Sequence, residues 1–420
     1  MTSTATQLMT DVKVVRKQID DYVPVVGQKV IDELKDLAGR FKDARVLHVN
    51  STAYGGGVAE ILHTLVPLMN DLGIDTTWKV IYGQDEFFNV TKAFHNALQG
   101  MDLDLTDEMI EIYQRYNQMN ARGFINDYDF IFIHDPQPAY LINLVDRKDS
   151  RFISRIHIDL TNANEKYWAF VKPTLEEYDA TIFTMEQYIK RDLNAKMFYI
   201  MPPCIDPLSS KNIPIPVNEA REIVRKSQID LNRPCMLQVS RFDPWKDPLG
   251  VIDAYRKVKE EFPEIQLVLL GSMASDDPEG IDYLELTARH AGEDRDILLL
   301  HNLKGFESRE VNAFQVMADV IVQKSLREGF GLVVTEALWK GRPVVGANVG
   351  GIPMQVIDGQ TGFLVNSVDE CAQGCLKLLQ DHQLSHRLGQ QAKEHVRENF
   401  LTTRNIRDYL TLMTRLSDKN

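Results

Sequence analysis

The stretch that decides the fold reads 45-RVLHVNSTAYGGGVAEILH-63. An apolar run leads into a short polar segment, three consecutive glycines and a helical pattern of apolar residues. This order predicts a strand, a tight turn and a helix. Glycine adopts positive φ readily, but ordering it costs backbone entropy. Two explanations therefore stay open for residues 55–57: a tight strand-to-helix turn, or a place where a ligand comes very close to the main chain.

The same alternation of apolar runs and helical patterns continues along most of the chain. Twelve runs are strand candidates: ARVLHVN, TTWKVIYG, YDFIFIHD, RFISRIHID, ATIFTM, KMFYIMPP, CMLQVSRFD, IQLVLLGSM, DILLLHN, ADVIVQKS, RPVVGANVGG and TGFLV. Continuous apolar runs suit parallel strands that are covered on both faces. The pattern occurs twice in 420 residues, which predicts the α/β class with two doubly wound, Rossmann-like domains.

A proline-rich segment, 202-PPCIDPLSSKNIPIP-216, separates the two halves. We expect an N-terminal domain over 1–205 with a helical insertion at about 84–126, and a C-terminal domain over 206–395. A last helix within 396–420 is expected to pack back on the N-terminal domain. Ligands of open parallel sheets bind beyond the carboxyl ends of the strands, so two such domains facing each other would form a deep cleft for a small molecule.

Composition excludes several classes of function. A net charge of −13 argues against nucleic-acid and anionic-membrane partners, because both would repel the surface. The first residues lack the apolar core of a signal peptide, and no run approaches membrane-spanning length, so a cytoplasmic protein is expected. The cysteines lack zinc-site spacing, so we interpret them as reduced thiols and predict no metal site.

The strand CMLQVS is followed by 241-RFDPWKDPLGVIDAY-255. Asp247 is a good N-cap and Pro248 suits the first helical position, so a helix is predicted to begin there. Arg241 and Lys246 would then lie beside the positive end of a helix dipole, where free backbone N–H groups and two cations can hold a diphosphate. The alternative is that both are solvated charges in a turn.

The strand ADVIVQ leads to 327-REGFGLVVTEALWKG-341. Gly329 and Gly331 permit an unusual loop, and Glu328 and Glu336 lie eight residues apart, so they are expected to contact different parts of one ligand. A carboxylate accepts hydrogen bonds from two sugar hydroxyls. The alternative for Glu336 is an exposed helix position, although its apolar neighbours indicate partial burial.

In the first half, His134 and Asp135 follow one strand, and His157 and Asp159 follow the next. Histidines in such places can also be purely structural hydrogen-bonding groups. The chain has no HExxH, GxSxG or GxxxxGK[ST] motif, which argues against a zinc protease, a serine hydrolase and a P-loop NTPase.

In this order across residues 45–365, these segments resemble the retaining glycosyltransferases of family 4, which have the GT-B fold. The closer resemblance is to the glycosyltransferring trehalose synthases, through HVNSTAYGGGVAEILH, IHDPQPA, HIDLTNAN, DDPEG and REGFGLVVTEALWKG. It implies transfer of glucose from an NDP-glucose, such as UDP-glucose or ADP-glucose, to free glucose, giving α,α-trehalose, reversibly in some members. The partners would be sugars and a nucleotide sugar. No cofactor would be required, although Mg²⁺ could accompany the nucleotide. The sequence does not specify the oligomeric state, and the protein could form a homodimer.

The resemblance also implies roles for individual residues. Arg241 and Lys246 would hold the leaving diphosphate, and Glu328 would bind the hydroxyls of the donor sugar, with His157 beside it. Donor and nucleotide would be bound by Gly56, Gly57, Ser240, Asn302, Leu303, Gly329, Phe330, Gly331, Leu332 and Glu336, the last holding the ribose. The acceptor would be bound by His134, Asp135 and Asp159.

Three rival functions share these motifs: a trehalose phosphorylase, a GT-B sugar-nucleotide epimerase and a non-catalytic sugar-nucleotide sensor. A ribose ligand at Glu336 would have no purpose in a phosphorylase. Free glucose is the expected acceptor, because the strand ends of the first domain offer no Lys or Arg beyond Lys166 and Arg155. An acceptor phosphate beside Asp135 and Asp159 would be repelled.

Overall fold

The computed structural model describes residues 8–272 and 278–418. Residues 1–7, and Asp276 and Asp277 of the DDPEG segment, lie outside the described residues. The chain divides into two compact units: unit 1 is Met1–Pro203 with Thr402–Asn420, and unit 2 is Cys204–Leu401.

Unit 1 is built on a seven-stranded sheet in the order β1-β3-β2-β4-β5-β6-β7. Its strands are β1 (Thr10–Asp11), β2 (Arg45–Asn50), β3 (Asp75–Val80), β4 (Phe130–His134), β5 (Arg151–Ile156), β6 (Ala180–Phe183) and β7 (Phe198–Ile200). All neighbouring strands pair in parallel except β1, which runs antiparallel to β3. The six predicted strands are confirmed, whereas the two-residue β1 is too short and polar to be recognised. The parallel strands follow the flavodoxin-like order, which reverses between β2 and β4.

The helices of this unit cover the sheet. They are α1 (Val23–Val26), α2 (Gln28–Gly39), α3 (Gly56–Asp71), α4 (Asp85–Leu98), α5 (Asp107–Arg122) and α6 (Glu165–Glu176). The predicted helical insertion corresponds to α4 and α5. Its aromatic residues Phe87, Phe94 and Tyr113 are buried in the same core as the strand residues Ile131 and Phe152, so the helix pair is an integral part of the unit.

Unit 2 has a six-stranded, fully parallel sheet in the order β10-β9-β8-β11-β12-β13. Its strands are β8 (Cys235–Arg241), β9 (Gln266–Ser272), β10 (Ile297–His301), β11 (Val320–Gln323), β12 (Val344–Ala347) and β13 (Gly362–Val365). All six were predicted. If β8 is counted as the first strand, the order is 3-2-1-4-5-6, the dinucleotide-binding arrangement, which reverses between β8 and β11.

The helices of unit 2 are α7 (Val217–Arg225), α8 (Pro248–Glu261), α9 (Pro278–Ala291), α10 (Ser308–Met317), α11 (Leu332–Trp339), α12 (Ile352–Gln355), α13 (Val368–Gln380) and α14 (His382–Asn399). Much of the proline-rich segment packs within this unit. Asn312 on α10 donates hydrogen bonds to the carbonyls of Ser210 and Ile213, and Trp339 donates to that of Asn212. The segment is therefore held in place beyond its first residues, because its free carbonyls find donors on two helices.

The last helix, α15 (Thr402–Ser417), belongs to unit 1 and packs on α2 and α3. Its Tyr409 is buried and lies against the rings of His48 on β2 and Phe132 on β4. No helix within the described residues is both long enough and apolar enough to cross a membrane. All four cysteines are buried.

The glycine run after β2 is explained by backbone conformation at its first two positions. Gly55 has φ +76° and Gly56 has φ +77°, and a Cβ added to either would meet no atom within 4 Å. Crowding inside the described structure therefore does not require glycine here; left-handed geometry does. Gly57 already lies inside α3.

Alanine substitutions should separate these two kinds of glycine. We expect Gly56→Ala to lower the free energy of unfolding by roughly 1–2 kcal/mol, the cost of left-handed backbone for an L-residue. Gly57→Ala is the matched control and should raise it by about 0.5–1 kcal/mol, because alanine favours a helix. Urea midpoints measure both. A Gly56→Ala protein of unchanged stability would show that the turn does not require glycine.

Candidate active site

The predicted donor residues of unit 2 gather where its strand order reverses. β8 and β11 are neighbours in the sheet, and the loops that leave their carboxyl ends run over residues 242–247 and 324–331. In open parallel sheets, this switch point is where ligands bind.

The central contact of this site joins Lys246 and Glu328. Lys246 Nζ lies 2.6 Å from Glu328 Oε2, and their side chains are 17% and 7% exposed. Ser325 Oγ donates a second hydrogen bond to the same carboxylate oxygen at 3.2 Å. A largely buried carboxylate needs such partners, since an unpaired buried charge is costly. The pair places a cation and a carboxylate side by side.

The two loops are also tied together by the backbone. The carbonyl of Trp245 accepts hydrogen bonds from the N–H groups of Leu326 and Arg327, at 2.8 and 3.3 Å. The Arg327 guanidinium lies 5.6 Å from the centre of the Trp245 ring. Gln238 on β8 donates to the Lys246 carbonyl at 2.7 Å. These contacts fix the position of Lys246 before any ligand binds.

The start of α8 differs in part from the sequence prediction. Asp247 is the N-cap and Pro248 the first helical residue, as predicted. However, the Asp247 carboxylate accepts from Gly250 N–H and is paired with the buried Lys324. The expectation that this helix terminus offers free N–H groups to an anion was therefore wrong in part, because its own cap occupies it. Arg241 projects to solvent and pairs with Asp243 at 3.0 Å.

The glycine-rich loop before α11 does present its main chain. Gly331 has φ +83° and is the N-cap of α11, and no described side chain caps this helix. Among the described residues, none accepts a hydrogen bond from the N–H of Phe330 or Gly331. The loop is held from behind, where Gly351 N–H donates to the Gly329 carbonyl at 3.0 Å. Uncapped N–H groups at a helix start are suited to an anion.

Glu336 lies one and a half turns further along α11. It is 1% exposed, so the alternative of an exposed helix position is excluded and burial exceeds the expected degree. Its carboxylate lies 3.7 Å from the Nζ atom of Lys211, a residue of the proline-rich segment. Burial lowers the pKa of the adjacent Lys340 to about 8, although the Glu336 charge opposes this shift.

The other predicted donor residues occupy neighbouring strand ends of unit 2. Ser240 lies near the end of β8, and Asn302 and Leu303 form a short turn after β10. Burial and the nearby Lys304 lower the pKa of His301, and its Nδ1 is buried without a hydrogen-bond partner among the described residues. Leu303 is 65% exposed, which leaves an apolar surface beside this turn.

Unit 1 brings the two predicted histidines together and adds a third. His48 Nδ1 lies 3.0 Å from His134 Nε2, and His134 Nδ1 lies 3.1 Å from His157 Nε2. Burial is the main cause that lowers the pKa of His48, to about 3, and the pKa of His134 and His157 well below the ordinary range. The charge of the buried Arg155 lowers the pKa of His134 and His157 further. All three rings are neutral at pH 7.

His48 was missed from the sequence. Its strand reads RVLHVN, in which a single histidine among apolar residues resembles any core position. The available signal was that three strands of one domain each carry a histidine near the carboxyl end. Their contact depends on strand order, which single-strand patterns do not contain.

The predicted acceptor carboxylates have different surroundings. Asp135 has φ +63°, and its carboxylate accepts from His157 N–H at 2.9 Å. Burial raises the pKa of Asp135 to about 6, although the His157 N–H and Arg155 act in the opposite direction. Asp159 accepts from Thr161 N–H at 2.9 Å and so closes its own turn. The described residues contain no group of three or more His, Cys, Asp or Glu that could hold a metal ion.

Unit 1 has two further cations near its predicted acceptor residues. Lys190 and Arg191 line a cavity of about 720 Å³ together with Thr161 and Asn162 of the HIDLTNAN segment. They lie beyond β6 and were not recognised as neighbours of that segment because about thirty residues separate them. Lys190 is paired with Glu165 at 2.8 Å. Lys166, which the sequence did identify, is exposed and paired with Asp104.

The fold and the switch-point loops define a glycosyltransferase of the GT-B class. A family model described as "Glycosyl transferases group 1" matches residues 219–395, and one described as "Trehalose synthase, N-terminal domain" matches residues 48–190. The chain is 50% identical to the trehalose synthase of Thermococcus litoralis over 94% of this chain and 97% of the relative. The chain belongs to the trehalose synthase family, and it is a glycosyl-transferring enzyme of trehalose metabolism.

Two more distant proteins are less similar to this chain. A trehalose phosphorylase of Pleurotus pulmonarius is 28% identical over 94% of this chain, which spans 60% of the phosphorylase. A UDP-forming trehalose-phosphate synthase from Burkholderia xenovorans, solved in complex with glucose-6-phosphate, shares the fold with a TM-score of 0.69 and 15% identity. That match covers 88% of this chain and all of the other.

Proposed function

We propose that this protein transfers glucose from an NDP-glucose to free glucose and releases α,α-trehalose and NDP. The observation that carries the proposal is the Lys246–Glu328 pair at the switch point of unit 2, at 2.6 Å. An NDP-glucose presents phosphate oxygens beside sugar hydroxyls, and this pair offers an ammonium beside a carboxylate. The ammonium suits the phosphate and the carboxylate suits the hydroxyls.

The neighbouring main chain supports a diphosphate as the leaving group. The N–H groups of Phe330 and Gly331 and the uncapped start of α11 lie in the loop that carries Glu328. During glycosyl transfer, positive charge develops on the sugar and negative charge grows on the departing oxygen. Donors that are already in place stabilise that growing charge most effectively. Arg241, exposed and paired with Asp243, is assigned to the outer side of the diphosphate.

Glu336 supports a nucleotide in the donor. A buried carboxylate on α11, balanced by Lys211 at 3.7 Å, can accept both hydroxyls of a ribose when it exchanges this contact for the ligand. A phosphorylase, which uses inorganic phosphate, has no ribose to bind. The nucleotide base is assigned to the turn at Asn302 and Leu303.

The acceptor-side residues of unit 1 fit a neutral sugar. His134, His157 and Asp135 are linked by hydrogen bonds, and a neutral imidazole and a carboxylate can both form hydrogen bonds with sugar hydroxyls. The sequence predicted free glucose because few cations were expected at these strand ends. Since Lys190 and Arg191 line a cavity beside Thr161 and Asn162, that reason is not sufficient by itself. Free glucose is supported by the pairing of Lys190 with Glu165 and by the carboxylates of Glu165 and Glu186, which line the same cavity and would repel a phosphate.

Product analysis tests the whole proposal. Purified protein with UDP-glucose or ADP-glucose should form trehalose and one equivalent of NDP only when glucose is added. Trehalose cleavage that requires inorganic phosphate and yields a glucose phosphate would identify a phosphorylase instead. Altered sugar nucleotide without acceptor would identify an epimerase, and binding without turnover a sensor.

The acceptor is tested by the same assay with glucose 6-phosphate. We expect slower turnover with glucose 6-phosphate than with glucose at equal concentration. Arg191→Gln is the informative variant, since it removes the exposed cation of the cavity and should leave turnover with glucose unchanged. Faster turnover with glucose 6-phosphate that Arg191→Gln abolishes would overturn free glucose as the acceptor.

A further inference from the structure

The three histidines of unit 1 form a line across the sheet. His48 on β2 pairs in register with Phe132 on β4, and His134 on β4 pairs with Arg155 on β5. Paired residues of parallel strands share a face, as do residues two apart along one strand. From His48 to His134 to His157, each step therefore moves to the neighbouring strand and two residues closer to the carboxyl edge of the sheet. The line leads from the core to the edge where ligands bind.

Each contact in this line needs one hydrogen. A neutral imidazole has one N–H donor and one bare nitrogen acceptor. With two contacts in series, only two arrangements satisfy both. Either every ring carries its hydrogen on Nδ1 and donates toward His157, or every ring carries it on Nε2 and donates toward His48. A protonated His134 could donate both ways, but it is 2% exposed and lies beside the Arg155 cation, which opposes a second charge.

The inner end of the line distinguishes the two arrangements. His48 is fully buried, its ring stacks on Phe132 at 4.9 Å, and its Nε2 has no hydrogen-bond partner among the described residues. In the second arrangement this nitrogen would be a buried N–H without an acceptor. In the first it is a bare acceptor. Unpaired buried N–H groups are rarer in proteins than undersatisfied acceptors.

We propose that His48 and His134 are positioning residues that hold His157 as its Nδ1–H tautomer, so that His157 is a hydrogen-bond donor to the donor sugar and not a base. His157 is the only ring of the three that is partly exposed. Its Nε2 is engaged by His134, and no described group accepts from its Nδ1. An Nδ1–H group on this partly exposed ring matches a hydroxyl oxygen of the sugar. The sugar as the recipient rests on the proposed function; the tautomer does not.

The tautomer can be measured on the free protein. Long-range ¹H–¹⁵N correlation spectra of histidine-labelled protein distinguish Nδ1–H, Nε2–H and charged rings. At pH 7.5 we expect His48, His134 and His157 all to be neutral and protonated on Nδ1. An Nε2–H signal for His157, or a charged His134, would overturn the proposal whatever the activity of the protein.

A matched pair of variants tests the consequence for binding. The side chains in His48→Asn and His48→Asp have the same shape, and both reach the position of Nδ1. Asparagine can still donate to His134, whereas an ionised carboxylate only accepts and reverses the line. We expect His48→Asn to keep Nδ1–H on His157 and His48→Asp to move that hydrogen to Nε2.

Affinity is then compared for two ligands. The KM for NDP-glucose should rise at least tenfold in His48→Asp relative to His48→Asn, while the Kd for NDP alone, which lacks the sugar, should be equal in both. Equal KM values despite a reversed tautomer would overturn the donor role of His157. Equal losses for NDP and NDP-glucose would do the same, because they would indicate general damage to the site. If His48→Asp does not fold, the spectra of the unmodified protein still decide the tautomer.

Discussion

Replacing Lys246 with alanine is expected to lower kcat by about 100- to 1000-fold, equivalent to roughly 2.7–4 kcal/mol of transition-state stabilisation. The Lys246 ammonium lies 2.6 Å from Glu328 and is held in place through its own backbone by Gln238 and Asp243. It is therefore preorganised beside the proposed leaving group. Because the charge on the diphosphate grows toward the transition state, kcat should fall more than donor affinity. Steady-state kinetics with varied NDP-glucose measures both.

Two further variants show whether the effect is specific. Lys226→Ala removes an exposed lysine just beyond α7 and should leave kcat unchanged. Glu328→Gln combined with Lys246→Ala should cost much less than the two single effects added together, since the residues act as a pair. Near-normal turnover of Lys246→Ala, measured well below its unfolding temperature, would remove Lys246 from the catalytic machinery.

Acidification should destabilise unit 1 through its buried histidines. The pKa of His48 is about 3 in the folded protein against an ordinary 6.5, so between these values the unfolded chain binds a proton that the folded chain does not. The stability from this group is present above pH 6.5 and is lost as pH falls. From pH 7 to 5, His48 alone should cost about 2 kcal/mol. His134, shifted in the same direction, should add to the loss.

Asp135 should act with the opposite sign. Its pKa is raised from 3.8 to about 6, so between these values the folded protein binds the proton more readily, and the contribution of this group to stability falls as pH rises.

The neutral state of His48 can be tested directly by measuring the proton uptake on urea unfolding at pH 5. We expect His48→Phe, which keeps a ring against Phe132, to take up about one proton fewer than the unmodified protein. The exposed His386→Gln is the control, and equal uptake in all three proteins would contradict the neutral state of His48.

Some features of the candidate site were predictable because they depend on short segments. The cap at Asp247 with Pro248, the left-handed Gly331 at the start of α11 and the placement of Arg241 at the end of β8 follow from residue types within a few positions. Such features arise from backbone sterics and local hydrogen bonding, which adjacent residues control. Short segments do not specify which distant residues these side chains contact.

By itself, the sequence determined the twelve parallel strands, the helices between them and the polar residues at the strand ends. Continuous apolar runs and local capping specify these features without knowledge of the rest of the chain. Only the tertiary structure decided that Lys246 meets Glu328, 82 residues away, that Lys324 pairs with the cap of α8, and that His48 joins His134 and His157. The physical reason is that strand order and register set these distances, and both result from burying the whole sheet. A parallel sheet brings together residues from segments far apart in the chain, so no single segment contains the information that places them side by side.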